Sequence, residues 1–139
     1  MAEKIFALAQ KCHKLHLGIF RKFFALILRY FCGLDISARM TVGKGLSLPH
    51  NGLGVVIHPN VVIGDNVKIL QNVTIGGREG SGLPVIGNNV EIGAGAVILG
   101  DVVIGDNAKI GANSVVLHDV QENMIAVGVP AKVMRAVKK

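Results

Sequence analysis

Between Ile57 and Val116 an aliphatic residue returns at every sixth position: Ile57, Ile63, Ile69 and Ile75, then, after a break, Ile86, Ile92, Ile98, Ile104, Ile110 and Val116. A helix repeats at 3.6 residues and a strand at 2, so a sustained register of six means that a short strand and a turn recur as one unit. The position four after each aliphatic is also apolar or small, as at Val61, Val67, Val73, Val90, Ala96, Val102, Ala108, Ser114 and Val120. Two inward positions per unit and three units per triangular coil give a solenoid whose coils stack at about 4.8 Å through backbone hydrogen bonds. With Ile36, Val42 and Leu48 as an earlier set, the chain holds a little over four coils.

The residue after the aliphatic is often glycine, as at Gly64, Gly76, Gly87, Gly93, Gly105 and Gly111, and Asp, Asn, Ala or Gly tends to follow. Such residues suit sharp corners. The eighteen glycines of the 139 residues therefore mark corners, not disorder, and half of the chain is hydrophobic, enough for one domain with an appended element. Two interruptions break the period. Nine residues separate Leu48 from Ile57, and eleven separate Ile75 from Ile86. A solenoid absorbs insertions by extruding them at corners, and extruded loops are where solenoids carry function.

The organisation expected is a helical segment at 1–33, a β-solenoid at 34–125 and a closing cap and tail at 126–139, where the period is abandoned. Residues 3–32 space Ile5, Leu8, Cys12, Leu15, Ile19, Phe23, Leu26 and Tyr30 by three or four, with Gly18 dividing the segment and Gly33 placed to end it. Of the formal charge of +6, residues 1–33 hold +5, so the basic character belongs to this segment and points to no nucleic-acid partner. Its aromatic and basic composition fits two roles: packing against the solenoid or its copies, or lying in an anionic membrane surface as an interfacial helix. The run is too short and too charged to span a bilayer. Lys11, His13, Lys14 and His16 interrupt the apolar residues, so no secretory leader is expected. A disulfide between Cys12 and Cys32 would require the segment to fold back, since twenty residues of continuous helix span about 30 Å. The simpler expectation is a reduced, cytoplasmic protein, with peripheral attachment at the inner face of the membrane as the alternative placement.

The hexads resemble those of the hexapeptide-repeat acyltransferases. The stretches from His50 to Val56, Ile69 to Gly77, Ile92 to Ala96 and Gly128 to Lys132 resemble serine O-acetyltransferase and its short relatives in surface-polysaccharide assembly. The resemblance implies a left-handed parallel β-helix, a homotrimer with active sites between neighbouring subunits, and acetyl-CoA as donor, with no metal. It also implies His50 as the catalytic histidine, oriented by Asp35 fifteen residues earlier, and donor contacts at Gly76, Gly77, Ala94 and Ala112, with Lys109 and Lys132 towards the nucleotide. The chemistry is coherent: an alcohol needs a base to remove its proton as it attacks a thioester, imidazole is such a base near neutrality, and a carboxylate fixes its tautomer.

Two departures separate the chain from the serine enzyme. Pro49 stands where that family has an Asp before the catalytic histidine, and Leu83 where it has a second His. A zwitterionic amino acid would lose partners for its charges, so the acceptor expected is a glycan hydroxyl, with the small molecule L-serine as the alternative. A catalytically silent scaffold is a further alternative. The spacing of His50, His58 and His118 does not suit a three-histidine zinc site. His58, followed by Pro59, is read as a corner residue, with a second polar group facing the site as the alternative; His118, on a late corner, and His13 and His16, on the helix, are given no role.

Overall fold

A computed structural model of the chain describes residues 1–137. Two helices open it, α1 (Ala2–Lys14) and α2 (Gly18–Phe31). They pack against each other across a short turn in which His16 adopts φ 57°. Gly33, at φ 62°, follows the last helical turn and lets the chain leave it. Cys12 and Cys32 are both buried and unpaired.

The inward face of the helical pair differs from the stripe that the spacing suggests. Ala2, Phe6, Ala9 and Cys12 are buried in α1, and Leu28 in α2. Small alanines let α1 lie close to its neighbours. Ile19, Tyr30, Phe20, Phe23 and Leu26, by contrast, stand in solvent. A spacing of three and four marks an apolar face without saying what covers it. No helix among the described residues is long and apolar enough to cross a membrane.

The hexads form three sheets of short strands, and the chain passes through the sheets in fixed rotation. The first sheet orders Val56–Ile57, Thr74–Gly76, Val97–Leu99 and Val115–Val116. The second orders Thr41–Val42, Val62–Ile63, Val85–Ile86 and Val103–Ile104. The third orders Lys68–Ile69, Glu91–Ile92, Lys109–Ile110 and Met124–Gly128, with Ala131–Ala136 added antiparallel as the second arm of a hairpin. All other pairings between these strands are parallel.

Each strand turns its hexad aliphatic inward. Ile57, Ile63, Ile69, Ile75, Ile86, Ile92, Ile98, Ile104, Ile110 and Val116 are all buried, and so are the residues four positions on, except after Ile75, where the extruded loop puts Glu79 in solvent. Burying such a side chain contributes about 1.5–3 kcal/mol, so the stacked aliphatics dominate the stability of the solenoid. Ser114 is the polar exception, and its hydroxyl accepts the Gly128 N–H at 3.1 Å, joining the closing hairpin to the last rung.

The turns from the second sheet to the third are fastened by side chains. Asn66, Asn89, Asn107 and Asn123 all take left-handed backbone, at φ 54–59°, and pass amide hydrogen bonds down the stack at 3.3, 3.2 and 3.0 Å. Asparagine tolerates this backbone better than other side chains do. Beside them, Asp65, Asn88 and Asp106 each accept a backbone N–H from the rung above, at 2.7–2.8 Å. This edge is fastened by its own side chains from the first rung to the last.

Candidate active site

The first interruption forms a tight turn, Pro49–Gly52, in which His50, Asn51 and Gly52 successively adopt φ 56°, 58° and 67°. His and Asn are among the non-glycine residues that enter left-handed backbone most readily. Three left-handed residues in succession still persist only where the surroundings impose them. They do so here: the Leu48 N–H donates to the Glu3 carboxylate of α1 at 2.8 Å, and the Leu53 N–H donates to the His50 carbonyl at 3.3 Å. Burial pushes the Glu3 carboxyl up, but the N–H groups of Leu48 and Glu3 itself and the N-terminal ammonium together hold it below the ordinary glutamate value. The first helix thereby braces the loop that presents His50, whose side chain is exposed.

His50 heads the edge where the third sheet turns into the first. Down this edge the backbone joins Leu53, Gln71, Ala94 and Ala112 in a column: Asn72 N–H donates to the Leu53 carbonyl, Gly95 N–H to Gln71 and Asn113 N–H to Ala94, at 2.8, 2.9 and 2.8 Å. Two of the expected donor residues, Ala94 and Ala112, thus share an edge with the expected base. The carboxamide oxygen of Gln71 is buried there and has no hydrogen-bond partner among the described residues. Nothing in the hexad pattern singles out this glutamine.

Gly76 and Gly77 lie at the opposite border of the first sheet, where the second interruption leaves it. A Cβ at Gly76 would approach nothing closer than the His58 Cβ at 4.0 Å. Gly76 is therefore not demanded by packing. Lys109 sits on the outer row of the third sheet, with its ammonium 3.3 Å from Glu91, which also meets Lys68 at 3.2 Å. Hydrogen bonds from Lys68 first, and then from Lys109, hold the Glu91 carboxyl below its ordinary value against its partial burial. Lys132 is exposed on the closing hairpin, away from the His50 turn along the stack.

Asp35 opens the first sheet: its N–H donates to the Val55 carbonyl at 2.9 Å, and its carbonyl accepts the Ile57 N–H at 3.0 Å. Its carboxylate shares no hydrogen bond with His50 in the single chain; it faces Arg29 of α2 at 4.0 Å. It borders a cavity of about 630 Å³ on the outer face of the first sheet, together with Ser37, His58, Thr74, Gly76 and Gly77. His50 does not line this cavity, whereas His58, read from the sequence as a corner residue, does. The His58 Nδ1 accepts the Asn60 N–H at 3.3 Å, and Nε2 has no hydrogen-bond partner among the described residues. Hexad counting places His58 at a turn but cannot show that the turn overhangs an open sheet face.

Residues 84–118 match the family model for the bacterial transferase hexapeptide (six repeats). A serine acetyltransferase of Synechocystis sp. is 41% identical over 129 residues, which is 91% of this chain and 51% of that protein. The chain is 44% identical over 112 residues to WcaB, a putative colanic acid biosynthesis acetyltransferase of Escherichia coli K12, covering 79% of this chain and 68% of that one. The crystal structure of a serine acetyltransferase from Brucella abortus in complex with coenzyme A superposes with a TM-score of 0.90 at 36% identity, over 99% of this chain and 56% of that one. The chain thus spans about half the length of the Synechocystis and Brucella proteins. Similarity that runs through both helices and all three sheets leaves one conclusion: the chain belongs to the hexapeptide-repeat acetyltransferase family, among the relatives of serine acetyltransferase.

Proposed function

We propose that the chain is an acetyl-CoA-dependent O-acetyltransferase, a left-handed β-helix that works as a homotrimer and acetylates a sugar hydroxyl of a surface polysaccharide or its precursor. The observation that carries this reading is the left-handed turn, braced by Glu3, that holds His50 at the head of an edge whose lower positions, Ala94 and Ala112, are small. Small side chains suit a donor whose pantetheine arm must approach the backbone, and Gly76, free of packing demands, suits it from the other border. His50 takes the proton of the acceptor hydroxyl as its oxygen attacks the thioester carbonyl. The new C–O bond forms, the C–S bond breaks, and the imidazolium returns the proton to the departing thiolate. Asp35 orients the imidazole. Lys109 and Lys132 face the nucleotide end, Lys109 at the expense of its bond to Glu91.

The acceptor is drawn from the two positions that depart from the serine enzyme. Pro49 is half-buried, and Leu83 packs against the core, so neither supplies charge to a zwitterion. L-serine remains the alternative acceptor, matching the name carried by the Synechocystis and Brucella relatives, whereas the name of the Escherichia relative points to a polysaccharide. The exposed apolar side of α2 supports peripheral attachment to the inner face of the membrane, where such precursors are assembled.

The cavity lining supports a second reading of the base, because His58 and not His50 borders the open face with Asp35. An acceptor screen with acetyl-CoA, following release of CoA thiol from L-serine and from sugars, separates the readings. His50→Asn should lower turnover by roughly 10²- to 10⁴-fold and His58→Asn far less. The reverse order would transfer the role to His58. Absence of thiol release with every acceptor would leave a silent scaffold.

A further inference from the structure

The basic side of α2 ends beside the candidate site, and nothing in the acetyl transfer itself uses it. Arg21, Lys22 and Arg29 line a cavity of about 340 Å³ between the helix and the start of the first rung. Lys22 and Arg29 are seven residues apart and so share one side of the helix. The lining continues through Ala25, Asp35 and Ile36, and these same three residues border the larger cavity on the first sheet. The two cavities adjoin, with Asp35 between them. A molecule whose hydroxyl lies over the first sheet would extend its other end among three cations.

Those cations are poorly neutralised. α2 contains no acidic residue, and neither Arg21 nor Lys22 meets a carboxylate among the described residues. Arg29 reaches Asp35 at 4.0 Å, the outer limit of an ion pair, with both side chains more than half exposed. Surface pairs of that kind contribute little, so the guanidinium keeps its donors for a ligand. Arg21 also borders a smaller cavity with His13, His16 and Arg39, which extends the positive surface away from Asp35. A neutral sugar has no use for such a groove. Guanidinium groups match the tetrahedral oxygens of phosphate in paired hydrogen bonds, and lysine adds a point charge.

We propose that this groove binds the phosphate or diphosphate group of a phosphorylated sugar acceptor and thereby sets which hydroxyl comes to be acetylated. The proposal rests on the sugar reading of the acceptor and narrows it to anionic sugars, whether the phosphate is carried on a nucleotide or on a lipid. The cations position the acceptor and take no part in the bond changes.

Two measurements on the full chain test it. In the first, calorimetry with inorganic pyrophosphate compares the wild type with Arg21→Gln/Lys22→Gln/Arg29→Gln. Binding should be saturable in the wild type, weaken as salt is raised and fall at least roughly ten-fold in the variant. In the second, acetylation of glucose, glucose 1-phosphate, UDP-glucose and a short polyprenyl diphosphate-linked glucose is compared. The phosphorylated sugars should show KM values at least roughly ten-fold below that of glucose, and the triple substitution should raise them with the larger effect on KM than on kcat. Preference between the last two acceptors identifies the carrier. Equal use of glucose and its phosphates, or pyrophosphate binding that is absent or unaffected by the substitutions, overturns the groove. Transfer to L-serine alone, with pyrophosphate bound and lost in the variant, overturns the sugar reading and leaves the anion site standing. The single exposed substitution Lys22→Gln, which should weaken pyrophosphate binding by itself, reads the groove even if the triple variant is poorly folded.

Discussion

Gly52 closes the turn that presents His50, and its environment shows why no other residue serves there. Its backbone is left-handed, at φ 67°, and an added Cβ would lie 3.0 Å from Leu34 Cδ1 and 3.5 Å from Leu48 Cβ. Leu34 and Leu48 are both buried, so they have little room to give. His50 and Asn51 already hold left-handed backbone, and the glycine that follows them and the Glu3 bond to Leu48 keep the turn in place. Gly52→Ala should therefore destabilise the chain by about 1–3 kcal/mol, combining the left-handed penalty with crowding, and should cost turnover in addition by shifting His50. Denaturant unfolding beside acetyl-transfer kinetics checks both. Unchanged stability would mean that the turn relaxes freely and that His50 is not held in place by strain.

The three sheets were legible because every inward position declares itself chemically. Ile57 through Val116 recur at six, and each is buried where the period puts it. The asparagine ladder was half legible: Asn66, Asn89, Asn107 and Asn123 look like corner residues one at a time, but their mutual hydrogen bonds depend on stacking that no single hexad encodes. The candidate site shows in the sequence as two interruptions, not as a geometry. Asp35 and His50 carry the motif, yet the Arg29 contact of Asp35 and the place of His58 beside the open sheet arise from how α2 lies over the first rung. α2 was the least legible element, since an apolar side implies a partner without naming it. Ile19, Phe31 and Tyr30 remain 83%, 82% and 77% exposed, with Lys22 and Arg29 exposed nearby and no acid on the helix. On the peripheral attachment proposed above, charge complementarity favours an anionic bilayer over a second copy, which would bring these cations together. Vesicles containing anionic lipid should sediment the wild type, and zwitterionic vesicles should do so less. Phe20→Ser/Phe23→Ser/Phe31→Ser should abolish the difference. Retention of vesicle binding by that variant, or lipid-free association that the same substitutions remove, would give the surface to another occupant.

At the scale of the whole molecule, the candidate residues fall on two borders of one sheet. His50, Ala94 and Ala112 line the border by which the chain enters the first sheet, and Gly76 and Gly77 the border by which it leaves. A single chain holds these borders apart, whereas a closed ring of chains joins the entering border of one to the leaving border of the next through one repeated contact. With the three chains proposed above, the assembly has three times the 14.7 kDa chain mass and three composite sites. Gly76 offers a test, because a Cβ there meets nothing closer than 4.0 Å, so Gly76→Val should fold while obstructing the donor. His50→Asn and Gly76→Val should each be inactive alone. When they are co-expressed in equal amounts and assemble at random, one interface in four pairs an intact His50 border with an intact Gly76 border, so about a quarter of wild-type activity should return. Complementation requires that the site be shared. If mixed assemblies of confirmed composition stay inactive, each chain holds its site alone, and the cavity beside Asp35 and His58 becomes the place where the acetyl group is transferred.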